Sequence, residues 1–174
     1  MPTNNHHTLR KILSLSAYLL VAVAVAYLLI DRHPIVLAPK SLAPVDTTYY
    51  RLSGGTSTIR RMLDKPLVVN FFATWCPPCQ KELPALSKVY RQYAGKIGFL
   101  GLAVSSNVPD IINLKRKFLI DYELGTIVDD ALEIWQARAM PTTYILDKNG
   151  RILWAHAGLV TEEQLSQAIS EAIR

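Results

Sequence analysis

Cys76 and Cys79 are the only thiols in the 174-residue chain, and they are separated by Pro77 and Pro78. A Cys-x-x-Cys pair can hold a metal, attach haem, staple a loop, or exchange electrons as dithiol and disulfide. Tetrahedral zinc wants four Cys or His ligands, and the region offers these two with one distant His156. Haem attachment needs a histidine directly after the second cysteine, where this chain has Gln80. A disulfide closing a two-residue loop restricts the unfolded chain very little and is a poor staple. Redox chemistry is the use these residue types and this spacing suit best.

The flanking sequence predicts how the pair is presented. Residues 67–72 (Leu-Val-Val-Asn-Phe-Phe) are nearly all apolar and follow Pro66, the pattern of a strand covered on both faces. A helix is expected from about Pro78 to Tyr93, with Leu83, Leu86, Val89, Tyr90 and Tyr93 at helical spacing. The cysteines therefore fall at a strand-to-helix turn. There the free N–H groups and the positive end of the helix dipole stabilise a thiolate, lowering the thiol pKa below its usual ~8.5. Cys76 reads as the exposed nucleophile. Cys79, three residues on, is close enough for a small-ring disulfide and is sheltered by the helix turn. Pro77 and Pro78 fix φ and lack N–H groups that a helix start would leave unpaired.

The rest of the domain alternates strands and helices. Strands are expected at Thr47–Leu52, Ile97–Val104 and Thr126–Asp129, and helices at Ser57–Leu63, Val108–Leu119 and Asp130–Ala137. Strands at Thr142–Leu146 and Ile152–Ala157 flank Asp147-Lys148-Asn149-Gly150, whose Asn-Gly is a hairpin signal. A final helix, Thr161–Ile173, has Thr161 as N-cap and two glutamates in its first turn. The pattern is α/β, a mixed sheet ending in a hairpin and a helix. His156, Trp135 and Trp154 read as strand, core or rim residues.

Charge and hydropathy divide the chain. Its net charge is +5, with four of the 19 basic residues and one of the 14 acids lying in residues 1–40. The remainder has no basic stripe beyond short clusters at 60–61 and 115–117, so nucleic acid is not an expected partner. Residues 12–30 carry no charge, and as a helix they span about 28 Å, close to the hydrocarbon thickness of a bilayer. Arg10 and Lys11 precede this run and Asp31 follows it, which favours a cytoplasmic stub (1–11), an anchor (12–30) and an exported remainder. Alanines 22, 24 and 26 also fit a small-x-small cleavage site, so a cleaved signal peptide is the competing reading. Prolines 34, 39 and 44 mark residues 31–46 as a tether, leaving residues 47–174 as the folded domain.

The stretch Val69-Asn70-Phe71-Phe72-Ala73-Thr74-Trp75-Cys76-Pro77-Pro78-Cys79, followed by Glu82-Leu83-Pro84 and later by Met140-Pro141-Thr142-Thr143, resembles the thioredoxin fold. Within it the match is to the membrane-anchored TlpA/ResA/CcmG-like thiol-disulfide oxidoreductases, over about three quarters of the chain. The resemblance implies a cis peptide bond before Pro141, with that proline beside the cysteines and the Met140 backbone pairing with substrate as an added strand. Read from the residues alone, Pro141 is also compatible with an ordinary turn before a strand. The resemblance further implies that Trp75 shields the disulfide at the rim and that Pro84 kinks the active-site helix. Trp75, Pro77, Pro78, Met140 and Pro141 are the expected substrate contacts, and the stretch between Val104 and Met140 resembles the family's central insertion. No metal or cofactor is expected.

Where thioredoxin keeps a buried aspartate beneath the cysteines, this chain has Asn70, which cannot accept the resolving thiol's proton. Glu82 matches a glutamate that the family places near the pair, and lies three residues after Cys79 on one helix face. It reads either as the proton acceptor for Cys79 or as a solvated helix glutamate. The implied activity is reduction of exported protein disulfides, with electrons from a membrane thiol-disulfide transporter and apocytochrome c haem-site cysteines among the family's substrates. A disulfide-forming oxidant or isomerase of the same fold, and a non-catalytic binding or metal-delivery module, are the other classes.

Overall fold

In the computed structural model, which describes residues 18–25, 41–128 and 130–174, the domain runs β1 (Thr48–Arg51), β2 (Thr56–Thr58), β3 (Leu67–Phe72), α1 (Pro77–Gln92), β4 (Gly98–Ala103) and α2 (Val108–Lys117). It continues through β5 (Glu123–Thr126), α3 (Asp130–Ile134), β6 (Thr142–Leu146), β7 (Ile152–Ala157) and α4 (Glu162–Ala172). The sheet order is β2-β1-β5-β4-β3-β6-β7. β3 pairs parallel with β4 and antiparallel with β6, which places it inside the sheet with all six side chains buried. That is the outcome an uninterrupted apolar run requires, since both of its faces must be covered. The arrangement is the expected thioredoxin-like α/β fold.

β3 ends where the cysteine loop begins, so the sheet interior sets the position of the pair. Asn70 on β3 stands opposite Gly101 on β4 and Thr143 on β6. A Cβ at Gly101 would lie 2.4 Å from Leu124 Cδ2. The missing side chain is thus what lets Leu124 of β5 reach across the layer. At the back of the sheet Phe71, Trp135 and Tyr144 pack ring on ring, with centroids 5.3 to 6.0 Å apart. Buried Trp135 donates its Nε1–H to Thr47 Oγ1 at 3.0 Å. Thr161 closes α4 with the expected cap and more. Gln164 N donates to its Oγ1 while Thr161 N donates to Gln164 Oε1, a reciprocal box whose Thr half contributes about 1 kcal/mol.

Several expected elements differ. The helix expected at 57–63 is instead β2 followed by one 3-10 turn, Ile59–Met62. The β-branched threonines of Thr56-Ser57-Thr58 pair with β1, and Ile59 is fully buried. The strand expected at 126–129 lies three residues earlier, because Gly125 gives β1 the room to approach: a Cβ there would sit 2.6 Å from Tyr50 O. The helix expected at 130–137 stops at Ile134, and Gln136 turns to φ 53. Residues 41–46, read as tether from their prolines, are packed on the domain. Ala43 and Val45 are buried, Ala43 N donates to Gly150 O, Ile152 N donates to Ser41 O, and Asp46 pairs with Arg60.

Residues 18–25 are helical with exposed side chains. The stub at 1–11, most of the expected span at 12–30 and the tether up to residue 40 lie outside the described residues. Among the described residues no helix is long and apolar enough to cross a membrane.

Candidate active site

Cys76 is the N-cap of α1 and is joined to Cys79 by a disulfide, with Cα atoms 5.3 Å apart. Pro77 and Pro78 occupy the first helical positions, where no N–H is missed, and both are exposed. The first N–H that α1 can offer its cap is that of Cys79, which points at Cys76 Sγ from 3.3 Å. A hydrogen bond from the backbone, added to the helix dipole, stabilises the sulfur as thiolate once the disulfide opens. Among the described residues no backbone N–H donates to Cys79 Sγ, which sits one turn inside the helix. Cys76 is less open than the sequence implies, 4% exposed against 0% for Cys79. The loop covers Cys76 in this disulfide-bonded state, and only the order of accessibility is as expected.

The loop is braced by polar contacts that residue spacing alone did not reveal. Gln80 Nε2 donates to Thr74 O at 2.7 Å, and Ser106 Oγ accepts from Thr74 N at 3.0 Å. Trp75 is 64% exposed, held by an Nε1–H bond to Ser105 O at 3.0 Å. It lies beside a cleft of about 370 Å3 lined by Thr74, Gln80, Asp110, Asn113 and Lys117. An indole this open, anchored at its polar edge, offers its ring face to an incoming chain.

Thr142 pairs with Phe71, which brings Met140 and Pro141 to the same sheet end as the cysteine loop. The Met140–Pro141 bond is cis, as the resemblance implies. Pro141 is buried, and its carbonyl accepts from Gly158 N at 2.7 Å. His156 and Trp154 stack on β7, centroids 5.6 Å apart, with His156 Nε2 3.3 Å from Leu159 O. They line a groove against α4, as strand residues.

Glu82 is not a solvated helix glutamate: it is 1% exposed. Its Oε1 accepts from Asn70 Nδ2 at 2.7 Å and its Oε2 from Val160 N at 3.0 Å. Burial pushes its carboxyl up from the ordinary range to about 7, against the pull of the Val160 N–H and the Asn70 amide. A carboxyl with that affinity gains and loses a proton near neutral pH. Asn70 donates also to Thr143 Oγ1 at 3.0 Å. These partners come from β3, β6 and the loop before α4. Thr143 was visible in the quoted motif, whereas nothing in the local sequence marks Val160. Among the described residues no three His, Cys, Asp or Glu side chains converge as a metal site would need.

A profile of the AhpC/TSA family matches residues 39–155. The chain belongs to the AhpC/TSA family. It is 33% identical over 128 residues to the thioredoxin-like protein YneN of Bacillus subtilis, covering 71% of this chain and 75% of that protein. It is 29% identical over 163 residues to the thiol-disulfide oxidoreductase ResA of Halalkalibacterium halodurans, covering 88% of this chain and 89% of that one. Among solved structures, a thioredoxin-family thiol:disulfide interchange protein from Chlorobium tepidum is similar in fold. It has a TM-score of 0.68 at 23% identity, over 79% of this chain and 99% of that chain.

Proposed function

We propose that this AhpC/TSA-family protein is a thiol-disulfide oxidoreductase that works as a reductase of exported polypeptides, tethered to the membrane by its N-terminal apolar segment. The observation that carries the activity is the Cys76–Cys79 disulfide at the start of α1, with the Cys79 N–H aimed at Cys76 Sγ. The reduced enzyme attacks a substrate disulfide with Cys76 thiolate, and one substrate sulfur leaves as thiolate. Cys79, giving its proton to Glu82, then attacks Cys76 Sγ and displaces the second substrate sulfur, leaving substrate as dithiol and enzyme as disulfide. Trp75, next to Cys76, and Met140 and Pro141, at the same end of the sheet, receive the substrate chain, with Pro77 and Pro78 at the exposed turn.

The direction is supported by the apolar Met140 before Pro141. A donor in the membrane, a thiol-disulfide transporter, would return the electrons. The equilibrium potential against a glutathione or dithiothreitol series decides the direction. A value near thioredoxin's, about −270 mV, supports a reductase, and one near about −120 mV turns the reading to an oxidant.

Export and anchoring are supported by the uncharged run at 12–30 behind Arg10 and Lys11. Alkaline carbonate extraction is expected to leave the full chain in the membrane pellet and to release a chain starting at residue 31. A full chain found in the supernatant would reject the anchor, and a mature N-terminus near residues 24–27 would assign the run to a signal peptide.

A further inference from the structure

The Asn70 amide touches the Glu82 carboxyl and uses only half of its hydrogen-bonding capacity. Nδ2 gives one hydrogen to Glu82 Oε1 at 2.7 Å and the other to Thr143 Oγ1 at 3.0 Å. Its Oδ1 is buried and, among the described residues, has no hydrogen-bond partner. A buried polar atom left idle is rare and calls for a reason. Asn70 is 2% exposed, between β4 and β6, so bulk water does not compete for these bonds.

Both partners of Nδ2 can reverse roles. A threonine hydroxyl accepts or donates according to its rotation, and a carboxylate becomes a donor when protonated. We propose that Asn70 is a two-position positioning residue for the proton step at Glu82. Its Nδ2 holds the carboxylate, and its Oδ1, brought round by half a turn of the amide, receives the O–H of the carboxylic acid and of Thr143. This rests on Glu82 being the proton acceptor for Cys79.

In that step the Cys79 S–H bond breaks, its proton joins Glu82 Oε1 and its electron pair stays on Cys79 Sγ. The thiolate forms the Cys79–Cys76 bond, and the Cys76–substrate bond breaks with its electron pair leaving on the substrate sulfur. A fixed Nδ2 would keep only the weaker acceptor that a protonated Oε1 offers, so it favours the carboxylate and opposes the transfer. A turning amide leaves one of its ends without a partner in either position, so neither state of Glu82 is strongly preferred. An aspartate at 70 would place a second charge on Glu82, and an apolar residue would offer it nothing.

The other groups around Glu82 leave this role to Asn70. Cys79 lies one turn earlier on α1, and Val160 N is a fixed backbone donor from the loop before α4. The Tyr122 phenol, ahead of β5, is buried, and burial together with the Glu82 charge raises its own proton affinity. Among the described residues no lysine, arginine or histidine pairs with Glu82.

The test follows the Asn70 side-chain 1H–15N signals and the Glu82 carboxyl 13C signal from about pH 5 to 9, in the full chain in detergent. Both Asn70 amide protons are expected to move upfield with the Glu82 midpoint, because both lose their acceptors when the amide turns. Movement of only the proton that faces Glu82, or of neither, overturns the proposal. Asn70→Leu is expected to leave the Glu82 midpoint within about half a unit, because either state of the carboxyl loses a partner. A rise of about one unit, a tenfold change in proton affinity, marks a fixed Nδ2 donor and overturns the proposal. Thr143→Val, which keeps the shape of the core, is read the same way if the first variant does not fold. Glu82→Gln keeps the two ideas apart. If it leaves the pH profile of the resolving step unchanged, Glu82 is not the acceptor and both ideas fail. A Glu82-dependent profile with static Asn70 signals rejects the role of Asn70 alone.

Discussion

Cys76→Ser is expected to lower disulfide reduction by about 10³-fold or more, because a serine hydroxyl at neutral pH supplies neither the thiolate nor the sulfur that exchange requires. The structure separates this variant from its neighbour. Cys76 caps α1, receives the Cys79 N–H and is the more accessible of the two, whereas Cys79 is sealed at 0% exposure. Cys79→Ser should therefore retain the first attack and stop at the mixed disulfide. Insulin reduction monitored by turbidity reads the first loss, and the mass of a trapped Cys76–substrate adduct reads the second. An active Cys76→Ser protein, or an adduct on Cys79, would invert the assigned order of attack. Insulin reduction that never rises above the dithiol background, in the unaltered protein as in both variants, would move the protein to the class of binding modules.

Local signals carried the nucleophile and its platform. β3, β6 and β7 begin and end at the residues expected: burial on both faces leaves β3 and β6 little choice of period, and the Asn-Gly turn sets where β7 starts. Elements whose reason is tertiary were displaced. β5 begins at charged Glu123, whose side chain accepts the Tyr49 hydroxyl hydrogen bond at 2.7 Å across 74 residues of sequence. Residues 41–46 look like a tether because prolines dominate their local pattern, yet Ala43 and Val45 fill space under the β6–β7 turn, beside Gly150. The candidate site divides the same way. Cys-Pro-Pro-Cys and the cis proline are visible as motifs. The environment that turns Glu82 from a helix glutamate into a neutral-pH acid comes from Asn70 and Val160, 12 and 78 residues distant in sequence.

Glu82→Gln is expected to make the protein more stable and a poorer catalyst. The carboxyl is held near 7 in the folded chain against 4.5 for a free glutamate, so between those pH values the folded state keeps a proton that the unfolded state has released. Its contribution is therefore full below about pH 4.5 and is lost as pH rises to about 7, a total of about 3 kcal/mol. Glutamine imitates the protonated acid. Its carbonyl can take the Val160 N–H, and its NH2 can donate to Asn70 Oδ1, which otherwise has no partner. Denaturant midpoints should then favour the variant by up to about 3 kcal/mol at pH 8 and by little at pH 4. The amide cannot receive the Cys79 proton, so resolution of the mixed disulfide should slow by about 10²-fold near pH 7 and lose its inflection there. A variant that resolves as fast as the unaltered protein would remove Glu82 from the chemistry. One that is less stable at pH 8 would show that the buried carboxylate is not destabilising. The combination of gain and loss is what a buried acid kept for proton transfer predicts, because the burial that raises its affinity into the working range also opposes its charged form.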